Sequence, residues 1–165
     1  YGFMMGHPGK KLLFMGQDFG QYHEWDEKVS LDWYLADEPL HKDLQKYYSD
    51  LLHVYQKYPA LWQLDSDWNG FQWINANDGD RSIYSFVRYA KNHKKSLLFV
   101  CNFTPVARPD YRVGVPKRGN YTLILDNEHG AYKTGEKAPV FKAVKSECDG
   151  QPYSCLLYTS DAADE

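Results

Sequence analysis

Long hydrophobic runs are missing from this 165-residue sequence. No stretch of about 18 apolar residues occurs, so no helical membrane span and no membrane partner are expected. Cysteine is scarce as well: Cys101, Cys148 and Cys155 show no paired spacing, which argues against a disulfide framework and for a reducing, cytoplasmic compartment. The six histidines are scattered, with no pair at metal-ligand spacing, so no metal site is expected. Neither sign of charge dominates. With 19 basic against 22 acidic residues the net charge is −3, and no basic stripe offers itself to nucleic acid. The opening Tyr1-Gly2-Phe3-Met4-Met5-Gly6-His7-Pro8 lacks the basic-then-apolar order of a secretion signal and reads as the middle of a helix. Without such a signal, the glycosylation triplets at Asn102 and Asn120 mean little.

What is abundant is aromatic. Tyr, Trp and Phe make up 16% of the chain, a content common where sugar rings are stacked and also favoured by β-rich folds.

The stretch from Gly9 to Gln21 organises the reading. Leu12 to Met15 is a short continuous apolar run, which predicts a strand covered on both faces as in a parallel sheet. It ends at Gly16 and opens into a loop to Asp37 that is rich in polar and aromatic residues. Loops at the C-terminal ends of such strands are where ligands bind in α/β folds. A helix is predicted from Pro39 to about Tyr58, with Leu40, Leu44, Tyr47, Tyr48, Leu51, Leu52, Tyr55 and Tyr58 at three- and four-residue spacing. Pro39 suits its first turn and Pro59 closes it. Near Pro59 to Asp67 the period changes. Phe71 to Ile74, Ile83 to Tyr89 and Leu97 to Phe103 read as a meander with turns at Asn77-Asp78-Gly79-Asp80 and Lys91-Asn92-His93-Lys94. Tyr111 to Val115 and Tyr121 to Leu125 continue the series expected of a small antiparallel sandwich.

Several motifs then carry a family resemblance. Met4-Met5-Gly6-His7-Pro8-Gly9-Lys10-Lys11-Leu12-Leu13-Phe14-Met15-Gly16-Gln17-Asp18-Phe19-Gly20-Gln21, Ser30-Leu31-Asp32-Trp33, Pro59-Ala60-Leu61-Trp62 and the run from Val100 to Pro116 resemble the bacterial 1,4-α-glucan branching enzymes of the α-amylase superfamily. The resemblance covers about residues 1–154 in collinear order. It implies an α/β plus all-β architecture, the last β/α unit of a (β/α)8 TIM barrel followed by an antiparallel β-sandwich C-terminal domain. Residues 1–60 are then strand 8, its loop and helix 8 of the barrel, and residues 61–154 the all-β domain. The wider superfamily has Gly-x-Pro-x-x-x-x-Gly-x-Glu here; this chain keeps Gly9 and Gly16 in register, with Lys11 in place of proline and Asp18, one methylene shorter, in place of glutamate.

A retaining transglycosylase needs two carboxyl groups about 5 to 5.5 Å apart across the scissile bond. The resemblance implies that the nucleophilic Asp, the acid/base Glu and the third Asp come from barrel strands upstream of Tyr1, so no catalytic residue is expected in this chain. The loop is expected to wall the glucan cleft. Phe19, Trp25 and Trp33 are candidates to stack on glucose rings, and Asp18, Gln21 and Asp32 to hydrogen-bond hydroxyls, with loop packing as the competing reading. The implied function is that of a fragment, inactive alone, of an enzyme that makes α-1,6 branches in glycogen from α-1,4-glucan chains and needs no cofactor. The alternatives are a free-standing glucan-binding module over residues 60–154, or a debranching or trehalose-releasing relative of the same superfamily.

The stretch from Cys155 to Glu165 breaks the resemblance and reads as the in-frame translation of a transposase adapter used in sequencing libraries. On that reading residues 155–165 are an artefact and Cys155 is to be discounted. Removing the three acidic residues Asp161, Asp164 and Glu165 leaves the rest of the chain neutral. The sandwich is then expected to stop before its last strand, with an unpaired edge.

Overall fold

The computed structural model describes residues 1–133 and 135–157. A short helix, α1 (Gly2–Gly6), stops at His7, whose extended backbone leads into Pro8. The long helix α2 (Pro39–Lys57) follows an extended connection that ends in a 3-10 turn, Trp33–Asp37. Its apolar stripe buries Tyr48 and Leu51 against Met5 of α1, with Met4, Tyr47, Tyr55 and Leu125 around them. Helix α2 ends where Tyr58 turns extended ahead of Pro59.

The rest is antiparallel β-structure. Strands β1 (Phe71–Asp78), β2 (Ile83–Tyr89) and β3 (Ser96–Asn102) form the expected meander, with β2 in the centre and nearly every residue of it buried. Register shifts bend β1 between Trp73 and Asn75 and again before Asp78. Three short ladders complete the domain: β4 (Tyr111–Val115) with β9 (Tyr153–Leu157), β5 (Asn120–Thr122) with β8 (Val140–Lys142), and β6 (Leu125–Asp126) with β7 (Gly130–Ala131). The single run expected over Tyr121 to Leu125 is thus two strands in different ladders. The main β core holds Ile74, Ile83, Val87, Tyr89, Tyr111, Val113, Val115, Ala143 and Cys155.

Arg88 joins the helical and β portions. Its side chain is fully buried and donates to the carbonyls of Gly6 (2.7 Å), Leu61 (3.1 Å) and Gly70 (3.3 Å) and to the Asp65 carboxylate (2.8 Å). The other Asp65 oxygen accepts from the Gly9 amide at 3.1 Å, so one ion pair ties the start of the Gly9–Gln21 stretch to β2.

Two expectations need correction. Leu12 to Met15 is not a buried strand: the segment has no ladder partner among the described residues, and Leu12 is 71% and Met15 51% exposed. A strand's amides need a neighbouring strand, and none of the described β-strands pairs with this segment. Nor does the β-structure end at Ser154. β9 runs across the Ser154–Cys155 boundary and pairs with β4 from Tyr111↔Leu157 to Val115↔Tyr153, with Cys155 fully buried beside Val113 and Ser154, buried on the opposite face, accepting from Arg112 Nη1 on its Oγ. Cys155 is therefore a core residue. The remainder of the tail, residues 158–165, lies outside the described residues. Among the described residues no helix is long and apolar enough to cross a membrane.

Candidate functional site

The connection between Met15 and α2 is held by its own side chains. Gly16 has φ +76°, a conformation that favours glycine, and Gln21 packs so closely against it that a β-carbon has no room. The backbone amide of Gln21 donates to the Gly16 carbonyl at 3.0 Å. The Gln21 side chain then staples the loop: Nε2 donates to the His23 carbonyl (2.9 Å) and Oε1 accepts from the Asp32 amide (2.9 Å). His23 Nδ1 donates to Asp32 Oδ2 at 2.8 Å. Asp26 forms a local turn by accepting the Lys28 amide on its Oδ1.

Helix α2 supports the loop from below. His41 Nδ1 donates to the Phe19 carbonyl (2.6 Å), which leaves Nε2 of the neutral ring to accept from the Tyr22 hydroxyl (3.0 Å). One turn further on, Gln45 Nε2 donates to Asp18 Oδ2 at 2.9 Å. Asp18, Gln45 and Tyr48 line a cleft of about 430 Å³ that Leu13, Phe14 and Met15 also wall. The Tyr48 hydroxyl is buried and has no hydrogen-bond partner among the described residues; burial first, then Tyr1 and Asp18, push its pKa up to about 12.

The six expected contact residues fall into two groups. Trp25 and Trp33 are 36% and 58% exposed, so each offers a ring to a ligand. Trp25 meets Phe14 edge to face at 5.3 Å between centroids, and Trp33 leans on Phe19 at 5.4 Å. Phe19 itself is fully buried, so it has no open face for a sugar and instead supports Trp33 from behind. Gln21 spends both ends of its amide inside the loop, and Asp32 gives one oxygen to His23. Asp18 keeps one oxygen beyond its bond to Gln45. The sequence reading missed His41 and Gln45 as the loop's supports. Their signal was there: His41, Gln45 and Ser49 repeat every four residues and lay a polar row beside the apolar stripe of α2.

Comparison with known proteins decides the family. The family described as alpha amylase, C-terminal all-beta domain, matches residues 73–163, more than half of the chain and the span that holds nearly all its β-structure. The chain belongs to that family. Among similar proteins, a 1,4-alpha-glucan branching enzyme from Butyrivibrio fibrisolvens is 53% identical over 156 residues, which cover 93% of this chain and 24% of the relative. One from Aquifex aeolicus is 48% identical over 132 residues, covering 80% of this chain and 21% of the relative. One from Halothermothrix orenii is 41% identical over 156 residues, covering 93% and 25%. The chain thus spans about a quarter of the length of these relatives. The likeness at 93% coverage takes in the Gly16–Asp37 loop as well as the β domain.

Proposed function

We propose that this chain is the C-terminal part of a 1,4-α-glucan branching enzyme, an enzyme that cuts an α-1,4-glucan, holds the donor as a covalent glycosyl intermediate and transfers it to a 6-hydroxyl. The observation that carries this reading is the 53% identity to a branching enzyme across 93% of the chain. The exposed apolar wall from Leu12 to Met15 supports it, since a (β/α)8 barrel covers an apolar segment of its wall with neighbours supplied from elsewhere in the polypeptide. In this reading residues 1–60 are the last β/α unit of the barrel, and the catalytic carboxylates belong to the parent's preceding strands. The enzyme works in the cytoplasm, on glycogen or amylose-like chains.

The loop's part is to hold glucan beside that site. Trp25 and Trp33 present ring faces, and Asp18 and Asp32 present carboxylate oxygens to hydroxyls. Gln21 and Phe19 keep those groups in place without touching sugar. The test is the iodine absorbance of amylose treated with enzyme. The parent protein lowers and blue-shifts it, and the purified 165-residue chain leaves it unchanged. A change produced by the chain alone overturns the assignment of catalysis to the preceding strands.

A further inference from the structure

A second cleft, of about 420 Å³, lies at the other end of α2, where the helix meets the β6–β7 hairpin. Its volume falls in the roughly 300–1,000 Å³ range of small-ligand sites. Its apolar walls are Val54 and Ile124, its polar rim is His53, Lys57 and Lys133, and Tyr132 stands between them.

Tyr132 is fixed in place. Asp126 takes the Glu128 and His129 amides on Oδ1 (2.9 and 2.6 Å) and the Tyr132 hydroxyl on Oδ2 (3.2 Å). His129 lies flat against the Tyr132 ring, 4.3 Å between centroids and 19° from parallel. The hairpin in turn is bound to the helix: Asp50 accepts the Ala131 amide at 3.2 Å, and Gly130 sits so close to that carboxylate that a side chain there would collide with it. His53 Nδ1 faces the Ser49 carbonyl at 2.7 Å and must donate to it, so the neutral ring keeps Nε2 as a free acceptor. The cleft therefore combines a rigid ring, two ammonium donors, one nitrogen acceptor and the Asp50 carboxylate. A pyranose needs that set, an apolar ring face beneath it and both donors and acceptors for its hydroxyls.

We propose that this cleft is a second glucan-binding site, with a glucose ring stacked on Tyr132, its hydroxyls held by Lys57, Lys133 and His53. The choice of an α-1,4-glucan rests on the branching-enzyme reading above. Between Gln45 and His53 the helix rises about 12 Å, so α2 carries the Trp25–Trp33 loop near one end and this cleft near the other.

The test is titration of the 165-residue chain with maltoheptaose, followed by protein-observed NMR, with cellohexaose as the control for linkage. Maltoheptaose is expected to shift resonances of α2 and the hairpin. Tyr132→Ala should weaken that binding at least tenfold and Tyr132→Phe much less. Lys57→Gln, on an exposed side chain that carries no core packing, should weaken it severalfold in a chain that is still folded. Wild-type affinity in both Tyr132→Ala and Lys57→Gln overturns the site, as does binding abolished by a Trp25→Ala, Trp33→Ala double variant alone. If the wild-type chain ignores maltoheptaose while the parent protein branches amylose, the site is refuted and the function stands.

Discussion

Arg88 holds a charge in a place where water cannot reach it, which is tolerable because three carbonyls and a carboxylate surround it. Those partners come from separate parts of the chain: Gly6 from α1, Leu61 and Asp65 from the segment after α2, and Gly70 from the edge of β1. Truncating the side chain strands Asp65 and three carbonyls at once. Arg88→Ala should destabilise the protein by about 3–5 kcal/mol, the usual result of removing one member of a buried pair. At about 2–4 °C per kcal/mol for a chain of this size, the thermal midpoint should fall by roughly 10 °C. Asp65→Asn, which retains a hydrogen-bonding oxygen for Arg88 at a partly exposed position, should have a smaller effect. Denaturation of both variants followed by circular dichroism checks the order. Equal midpoints for wild type and Arg88→Ala would remove Arg88 as the joint between the two portions.

The loop from Gly16 to Asp37 shows how an element with little secondary structure can still be rigid. Gln21 closes its neck, His23 and Asp32 pair across it, and His41 and Gln45 prop it from the helix. Its two exposed tryptophans and its buried phenylalanine should therefore respond differently to truncation. In the parent enzyme, Trp25→Ala should raise the KM for amylose severalfold with the thermal midpoint unchanged. Phe19→Ala should cost about 3 kcal/mol of stability, as expected for emptying the space of a buried aromatic ring. Unaltered kinetics in Trp25→Ala would refute the proposed contact of that residue with glucan. Much of this element scale was legible in the sequence. The α2 stripe has a helical period, and the meander is a set of β-type runs with turn residues between them. Leu12 to Met15 misled because apolar composition states that a segment can be buried, while the partner that buries it is a long-range fact. Phe19 misled in the reverse sense: a loop aromatic gives no local sign of whether Trp33 will cover it. β5 to β8 are two or three residues long, too short to show any period.

At the scale of the whole molecule, the helical and β portions share one body. Phe3 and His7 of the N-terminal segment pack on Phe86 of β2, and Phe3 also meets Phe103. Gly6 lies against Phe99 of β3 with no space for a side chain. A free-standing module beginning near residue 60 would uncover those rings and leave Arg88 short of its Gly6 carbonyl. A protein comprising residues 61–157 should therefore bind the dye ANS and unfold at lower urea than the full chain, and a tighter fold for the shorter piece would favour the module reading. The pairing of β9 with β4 has a further consequence, for synthesis. Val115 leaves the ribosome 38 residues before Tyr153, the residue it pairs with. At about 5–20 residues per second, β4 waits for roughly 2–8 s as an open edge before its partner emerges. During that interval Val113 and Val115 face solvent or another chain, so the nascent protein is most exposed to mispairing just before its sheet is complete.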